Sequence, residues 1–246
     1  MKDWIEQNQI TEVECIIPDL AGAARGKIMP ASKFIGSGTL RMPQSVFMQS
    51  VTGDYPHIWE QLNPLDIDMV LEPDAKTIRM LPWAREPSAQ VIHDCVDMEG
   101  NPIPFSPRQV LRRVLAFYAA EGWKPVVAPE LEFYLLQPNH DPRNDLLPPI
   151  GRTGRVERAG QSFNIDAVND FDPMFDDMYD FCEAQDLEID TLIHEEGMGQ
   201  MEINLLHGDP LELADQAFLF KRTVREAALR HDLYATFMAK PMEGQP

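Results

Sequence analysis

The sequence predicts an α+β protein in two parts, on three observations. Short strand-like runs separated by Pro, Gly and Asp occupy residues 12–96, and a connection with three prolines (Met98 to Arg108) follows them. Beyond it, helical and strand periods alternate to the last residue, with neighbouring strands that suggest antiparallel pairing. At 246 residues the chain suits two modest domains at the usual roughly 150 residues each, and they are expected at 1–103 and 104–246.

In the first part, Met1 to Gln9 suits a short helix. Val13, Cys15 and Ile17 then alternate with Glu12, Glu14 and Ile16 as in a half-buried strand. Gly22 and Gly26 within PDLAGAARGKIMP supply positive φ for a tight reversal, and Ile28 and Met29 begin the returning strand. Leu40 to Pro87 reads as long loops with small strands at Asp68–Leu71 and Thr77–Leu81, and Ser88–Val96 as a further strand. In the second part, Ser106 is placed to cap a helix with Pro107 in its first turn and Val110, Leu111, Val114, Leu115 and Tyr118 on its apolar face, ending at Gly122. WKPVVAPELEFYLLQ reads as a strand, and Asn139 to Gln161 as a Pro-, Arg- and Gly-rich loop of functional length. A helix from Pro173 to Gln185, strands at Leu187–Ile193 and Gln200–Leu206, a helix from Pro210 to Arg230 and a strand at Tyr234–Met238 complete the chain, with Phe218, Phe220 and Phe237 on core faces.

Composition narrows the function. Hydrophobic residues at 44% and charged residues at 25% exclude wholesale disorder. With 21 Lys and Arg against 40 Asp and Glu, the net charge of −19 repels nucleic acid and anionic membranes and attracts metal ions and polyamines. Cys15, Cys95 and Cys182 form no C-x-x-C pair, so neither a disulfide framework nor a thiolate zinc site is expected, and a reducing cytoplasm fits. No apolar leader and no run near the roughly 18 residues of a spanning helix is present. The P-loop, the G-x-G-x-x-G turn and the G-x-S-x-G elbow are also missing, so any nucleotide is held differently.

Two segments concentrate carboxylates. In Pro129-Glu130-Leu131-Glu132-Phe133 a strand period of two puts Glu130 and Glu132 on one face, either a solvated face, which charged strands favour by habit, or a cation site. In His194-Glu195-Glu196-Gly197-Met198-Gly199-Gln200-Met201-Glu202-Ile203-Asn204, two strands flank a glycine turn, with Gln200, Glu202 and Asn204 on one face. That turn can bring Glu195 toward Glu202, and oxygen ligands without thiolates select Mg²⁺ or Mn²⁺ over zinc. His194 is open between metal ligand, substrate contact and buried core histidine, burial habit favouring the last. The other five histidines show no ligand spacing.

At these segments the sequence resembles the glutamine synthetase family, in the bacterial type-I-like branch that includes γ-glutamylpolyamine synthetases. PELEFYLL and HEEGMGQMEIN resemble its two metal-carboxylate segments, and ATFMAKPM the stretch before its glycine-rich histidine segment. DLAGAARGK resembles the first hairpin of its small β-grasp domain, and SPRQVLRRVL the helix opening its catalytic domain. The resemblance implies a β-grasp-like N-terminal domain followed by the first half of an antiparallel-sheet catalytic domain.

It further implies an ATP-dependent glutamate–amine ligase working through γ-glutamyl phosphate, with ATP and Mg²⁺ or Mn²⁺ as cofactors. By resemblance Glu132, Glu195 and Glu202 hold the metal nearer glutamate, Glu130 the metal nearer the ATP phosphates, and Asp190 lies near the nucleotide, although the family usually has Glu there. Proton removal from the amine is not assigned to a residue. The chain ends at KPMEGQP, ahead of the family's metal-binding histidine and substrate-gripping arginines, so a fragment of a longer protein, inactive alone, is expected. Ammonia-using members carry an aspartate in an F-D-G-S-S-like loop, where this chain has Val46-Phe47-Met48-Gln49-Ser50-Val51-Thr52-Gly53, followed by Asp54. Putrescine or another polyamine is therefore the expected acceptor, ammonia the runner-up, and a non-catalytic binding or regulatory relative the alternative of another class. Family members form rings, so a homo-oligomer is expected.

Overall fold

The structure, a computed structural model, describes residues 1–37, 39–58, 61 and 64–246, and these separate into two compact units, Met1–Pro125 and Val126–Pro246.

The first unit opens with helix α1 (Lys2–Gln7) and the antiparallel hairpin β1 (Glu12–Pro18) and β2 (Ala24–Pro30). The hairpin loop is organised by Asp19, whose buried carboxylate accepts from the N–H groups of Ala21 and Ala23 and from Arg25 Nε at 2.9, 2.8 and 2.8 Å. Gly22 takes the positive φ expected there, 72°. Gly26 serves a different purpose from the expected turn: it lies within β2, where a Cβ would sit 2.0 Å from the Cys15 carbonyl oxygen.

Helix α2 (Ala31–Ser37) and strands β3 (Leu40–Pro43), β4 (Asp68–Pro73), β5 (Arg79–Met80) and β6 (Ser88–Val96) follow. The sheet runs β2-β1-β6-β4-β3, with β5 also on β6. Among the described residues its one parallel pair joins β1 to β6, so the first and last long strands lie side by side at the centre. The near-continuous burial of β6 follows, because a central strand is covered on both faces. Ile5, Phe34, Val13, Cys15, Ile17, Met69, Leu71, Ala89 and Val91 belong to one buried cluster.

Helix α3 (Pro107–Ala120) starts at Pro107 as expected and is followed by Gly122 at φ 76°. Its expected apolar stripe does not form a core: Val110, Val114 and Tyr118 are exposed, and the buried residue of the helix is Arg108. Arg108 anchors the helix by ion pairs, to Asp74 at 2.7 Å and to Asp94 at 2.6 Å.

The second unit carries strands β7 (Glu130–Leu136), β8 (Ile189–His194), β9 (Gln200–Leu205) and β10 (Tyr234–Thr236) in the order β10-β7-β9-β8, every pair antiparallel. Strand β7 begins seven residues later than the Trp123 start expected from apolar content, although Val127 makes an isolated bridge to Gly208. Helices α5 (Asp172–Ala184) and α6 (Pro210–Arg230) pack together, with Gln185 Nε2 donating to Thr223 Oγ1 at 2.9 Å in the buried seam. A five-residue helix, α4 (Ile165–Asn169), capped by Asn164, was not expected, since a single turn leaves no periodicity to read. Phe133, Leu135, Met201, Ile203 and Phe220 are fully buried, Phe218 is buried and Phe237 is half-buried under Lys221 and Arg225. Among the described residues, no helix is long and apolar enough to cross a membrane.

Candidate metal centre

The alternation of β7 and β9 decides which side chains meet. Phe133 and Met201 pair on the buried face, which turns Glu132 and Glu202, the next pair in the register, to the other face directly opposite one another. Glu130 pairs with Asn204 two residues along that face, and Thr191 and Ile193 of β8 extend it opposite Asn204 and Glu202. Glu195 lies one residue beyond β8, at the start of the turn, and its N–H donates to the Gln200 carbonyl at 2.8 Å.

The electrostatics match this crowding. Burial, and after it the charges of Glu195, Glu130 and Glu132, raise the Glu202 carboxyl above the usual range, against a hydrogen bond from Asn204. The Tyr134 hydroxyl is also raised, by burial first and then by Glu132, Glu195 and Glu196. Four of the predicted site residues therefore share one neighbourhood. Asp190 stands apart, exposed at the irregularity between Ile189 and Thr191, beside the Asn204–Leu205 end of β9.

The donor set suits a hard divalent cation: carboxylate oxygens from two strands and a turn, no thiolate, and a buried Asn204 Oδ1 without a hydrogen-bond partner. Among the described residues, no three His, Cys, Asp or Glu side chains already converge on one point. Like-charged groups repel, and Glu132 accepts a hydrogen bond from Gln200 Nε2 at 2.6 Å, so binding requires these side chains to rotate inward on fixed strands. Gln200 is itself held, its Oε1 accepting from Gly197 N–H at 2.8 Å.

His194 takes the third of its three open roles, a buried histidine on the Met201 side of the sheet. Its Nδ1 lies 2.7 Å from the Glu195 carbonyl, and its Nε2 lies 2.8 Å from Glu157 Oε1, off the axis of a straight hydrogen bond. Burial works to lower its pKa, but Glu157 and the Glu195 carbonyl outweigh that and hold it above the ordinary value. Sequence reading missed Glu157, which comes from the long loop and has no periodic relation to the strands. The polar alternation that placed Gln200 beside Glu202 was the available signal for Gln200.

The family model for the glutamine synthetase catalytic domain matches residues 104–246. The chain is 36% identical over 255 residues to gamma-glutamylputrescine synthetase PuuA of Escherichia coli (strain K12), covering 99% of this chain and 52% of that protein. It is 29% identical to the glutamate–isopropylamine ligase of a Pseudomonas species, covering 98% and 53%. It is 30% identical to a glutamine synthetase of Halobacterium salinarum (strain ATCC 700922 / JCM 11081 / NRC-1), covering 98% and 50%. The structure titled "Apo GmaS without ligand" superposes with a TM-score of 0.76 at 25% identity, covering all of this chain and 54% of the other. A "novel glutamine synthase homolog" shares the fold at a TM-score of 0.78 and 20% identity, covering 96% and 53%. The chain spans about half the length of the curated relatives it matches.

Proposed function

Because this chain belongs to the glutamine synthetase family, we propose that it serves the ATP-dependent joining of the glutamate γ-carboxyl to a small amine. The observation that carries this reading is the Glu132–Glu202 cross-strand pair with Glu130 and Glu195 beside it. In this reading Glu132, Glu195 and Glu202 hold a divalent ion near glutamate, Glu130 holds a second near the ATP phosphates, and Asp190 approaches the nucleotide. Held by these carboxylates, Mg²⁺ or Mn²⁺ would supply positive charge to neutralise phosphate oxygens as charge moves onto the leaving group.

In the first step a γ-carboxylate oxygen of glutamate bonds to the γ-phosphorus as the bond to the bridging oxygen breaks, giving γ-glutamyl phosphate and ADP. The amine nitrogen then bonds to the acyl carbon, phosphate leaves, and the nitrogen loses one proton. Gln200 restrains Glu132 through its amide and thereby limits which way that carboxylate turns. The catalytic part is proposed to begin at residue 104, supported by the start of the family match, while α3 stays tied by Arg108 to the strands before it.

Putrescine or a longer polyamine is the proposed acceptor. The net charge of −19 favours cationic amines, and the relative of 36% identity acts on putrescine by its name. Ammonia is the second reading, favoured by the relation to glutamine synthetases and by Asp54, whose carboxylate accepts from Thr52 Oγ1 at 2.7 Å near the Val46–Gly53 loop. Homo-oligomers and a cytoplasmic setting go with either acceptor.

The test is ADP release with glutamate, ATP and Mg²⁺, comparing ammonium, putrescine and spermidine, on this chain and on the longest product of its gene. Turnover of the longest product with putrescine but not ammonium supports the polyamine reading, and the reverse overturns it. This chain alone is expected to release no ADP. If the longest product is also inactive with every amine, the ligase reading gives way to a binding or regulatory relative.

A further inference from the structure

The segment 157–163 is fastened to the turn between β8 and β9 at three points that the proposed reaction leaves unused. Glu157 accepts from Gly199 N–H through Oε2 at 3.1 Å and lays Oε1 2.8 Å from His194 Nε2, with its side chain 12% exposed and that of His194 fully buried. Phe163, held in the left-handed region at φ 60°, donates its N–H to the His194 carbonyl at 2.9 Å. Gly160 packs so close that a Cβ there would lie 1.7 Å from the Glu196 carbonyl oxygen.

Glu202 is fixed by ladder pairing on both sides, whereas Glu195 sits past the end of β8, where its direction depends on the turn. The two oxygens of Glu157 grip both arms of that turn, His194 on one and Gly199 on the other, and His194 relays the hold to the Glu195 carbonyl. We propose that Glu157 is a positioning residue of the metal site, setting where Glu195 stands relative to Glu202. This rests on the assignment of those two carboxylates as metal ligands.

The role rests on keeping both side-chain contacts, the one to Gly199 N–H and the one to His194 Nε2. In Glu157→Gln the amide oxygen still accepts from Gly199 N–H, and the amide NH₂ can donate to Nε2 of a neutral imidazole whose Nδ1 proton goes to the Glu195 carbonyl. Glu157→Ala keeps neither contact.

The experiment titrates Mn²⁺ into this chain and its variants, reading free Mn²⁺ by electron paramagnetic resonance and folding by circular dichroism. Glu157→Ala is expected to weaken Mn²⁺ binding about tenfold, as loss of a group that orients ligands does, with Glu157→Gln within threefold of the parent. Glu202→Gln separates the two ideas. If it weakens binding while Glu157→Ala does not, the positioning role is overturned and the metal site stands. If neither changes binding, the metal reading falls and this proposal with it. Should Glu157→Ala fail to fold, amide exchange of the parent decides: the Gly199 amide, whose acceptor is the Glu157 side chain, is expected to exchange as slowly as amides of the β7–β9 ladder, and free exchange overturns the proposal.

Discussion

Glu132 and Glu202 face each other across the antiparallel ladder of β7 and β9, two like charges directly opposite on one face. Such pairs cost rather than contribute stability, on the order of 0.2–1 kcal/mol. Neutralising one should therefore separate folding from binding. Glu132→Gln is expected to melt at the parent temperature or slightly above while losing at least tenfold in Mn²⁺ affinity by calorimetric titration. Unchanged affinity would remove Glu132 from the ligand set.

Arg108 places two carboxylates under one buried guanidinium. Its side chain is 4% exposed, against 21% for Asp74 and 28% for Asp94. Burial acts to raise the Asp74 pKa, but the hydrogen bond from Arg108 and the charges of Arg108 and Arg112 hold it below the ordinary value. A depressed folded pKa means stability that is present above the unfolded value and lost as pH falls through the folded one. Arg108→Met is expected to cost about 3 kcal/mol in urea unfolding at pH 7, near the lower bound for breaking a buried pair because both carboxylates keep some water. The difference from the parent should narrow once Asp74 is protonated, and an equal difference at pH 7 and pH 3 would contradict the assignment.

His93 also loses stability as pH falls, but because burial disfavours its charged form rather than because a partner favours it. It is buried beside Phe34 with Nδ1 2.9 Å from the Val91 carbonyl, and burial pushes its pKa down from 6.5 to about 4. Between those values the unfolded chain takes up the proton and the folded chain does not, so stability falls as pH falls through that window. The full loss is about 3 kcal/mol at 1.36 kcal/mol per unit. Comparing urea midpoints at pH 7 and pH 4.5, His93→Phe should show the smaller drop. Parallel losses in the two proteins would mean that other groups set the acid sensitivity.

Gly26 lies in β2 with no room for a side chain, its would-be Cβ 2.0 Å from a backbone oxygen of β1 that cannot move without shifting the strand. Gly26→Ala is expected to destabilise by about 2 kcal/mol or more in chemical unfolding, by the overpacking that core insertions cause. A loss below 0.5 kcal/mol would show that the hairpin has slack there.

Where one short period governs both packing and position, the sequence was enough. Strand β6 lies at Ser88–Val96 and helix α6 at Pro210–Arg230, the bounds their apolar patterns predict. The same alternation that buries Phe133 and Met201 put Glu130 and Glu132 together on one face of β7 and Glu202 with Gln200 together on one face of β9, before the two strands were known to pair. Patterns with more than one possible cause were less informative. The stripe of α3 predicted apolar packing, yet Arg108 anchors that helix through charges on β6 and the residue after β4.

The α+β class, the face shared by Glu130 and Glu132 and the face shared by Gln200, Glu202 and Asn204 were thus determined by the sequence alone, because a strand's period of two assigns each side chain to a face whatever its partner. Only the tertiary structure decided that Glu132 stands opposite Glu202, that His194 is buried on the other side, and that Glu157 reaches the turn from a distant loop. Strand register and loop closure depend on contacts between residues far apart in the chain, and these leave no periodic trace in the sequence.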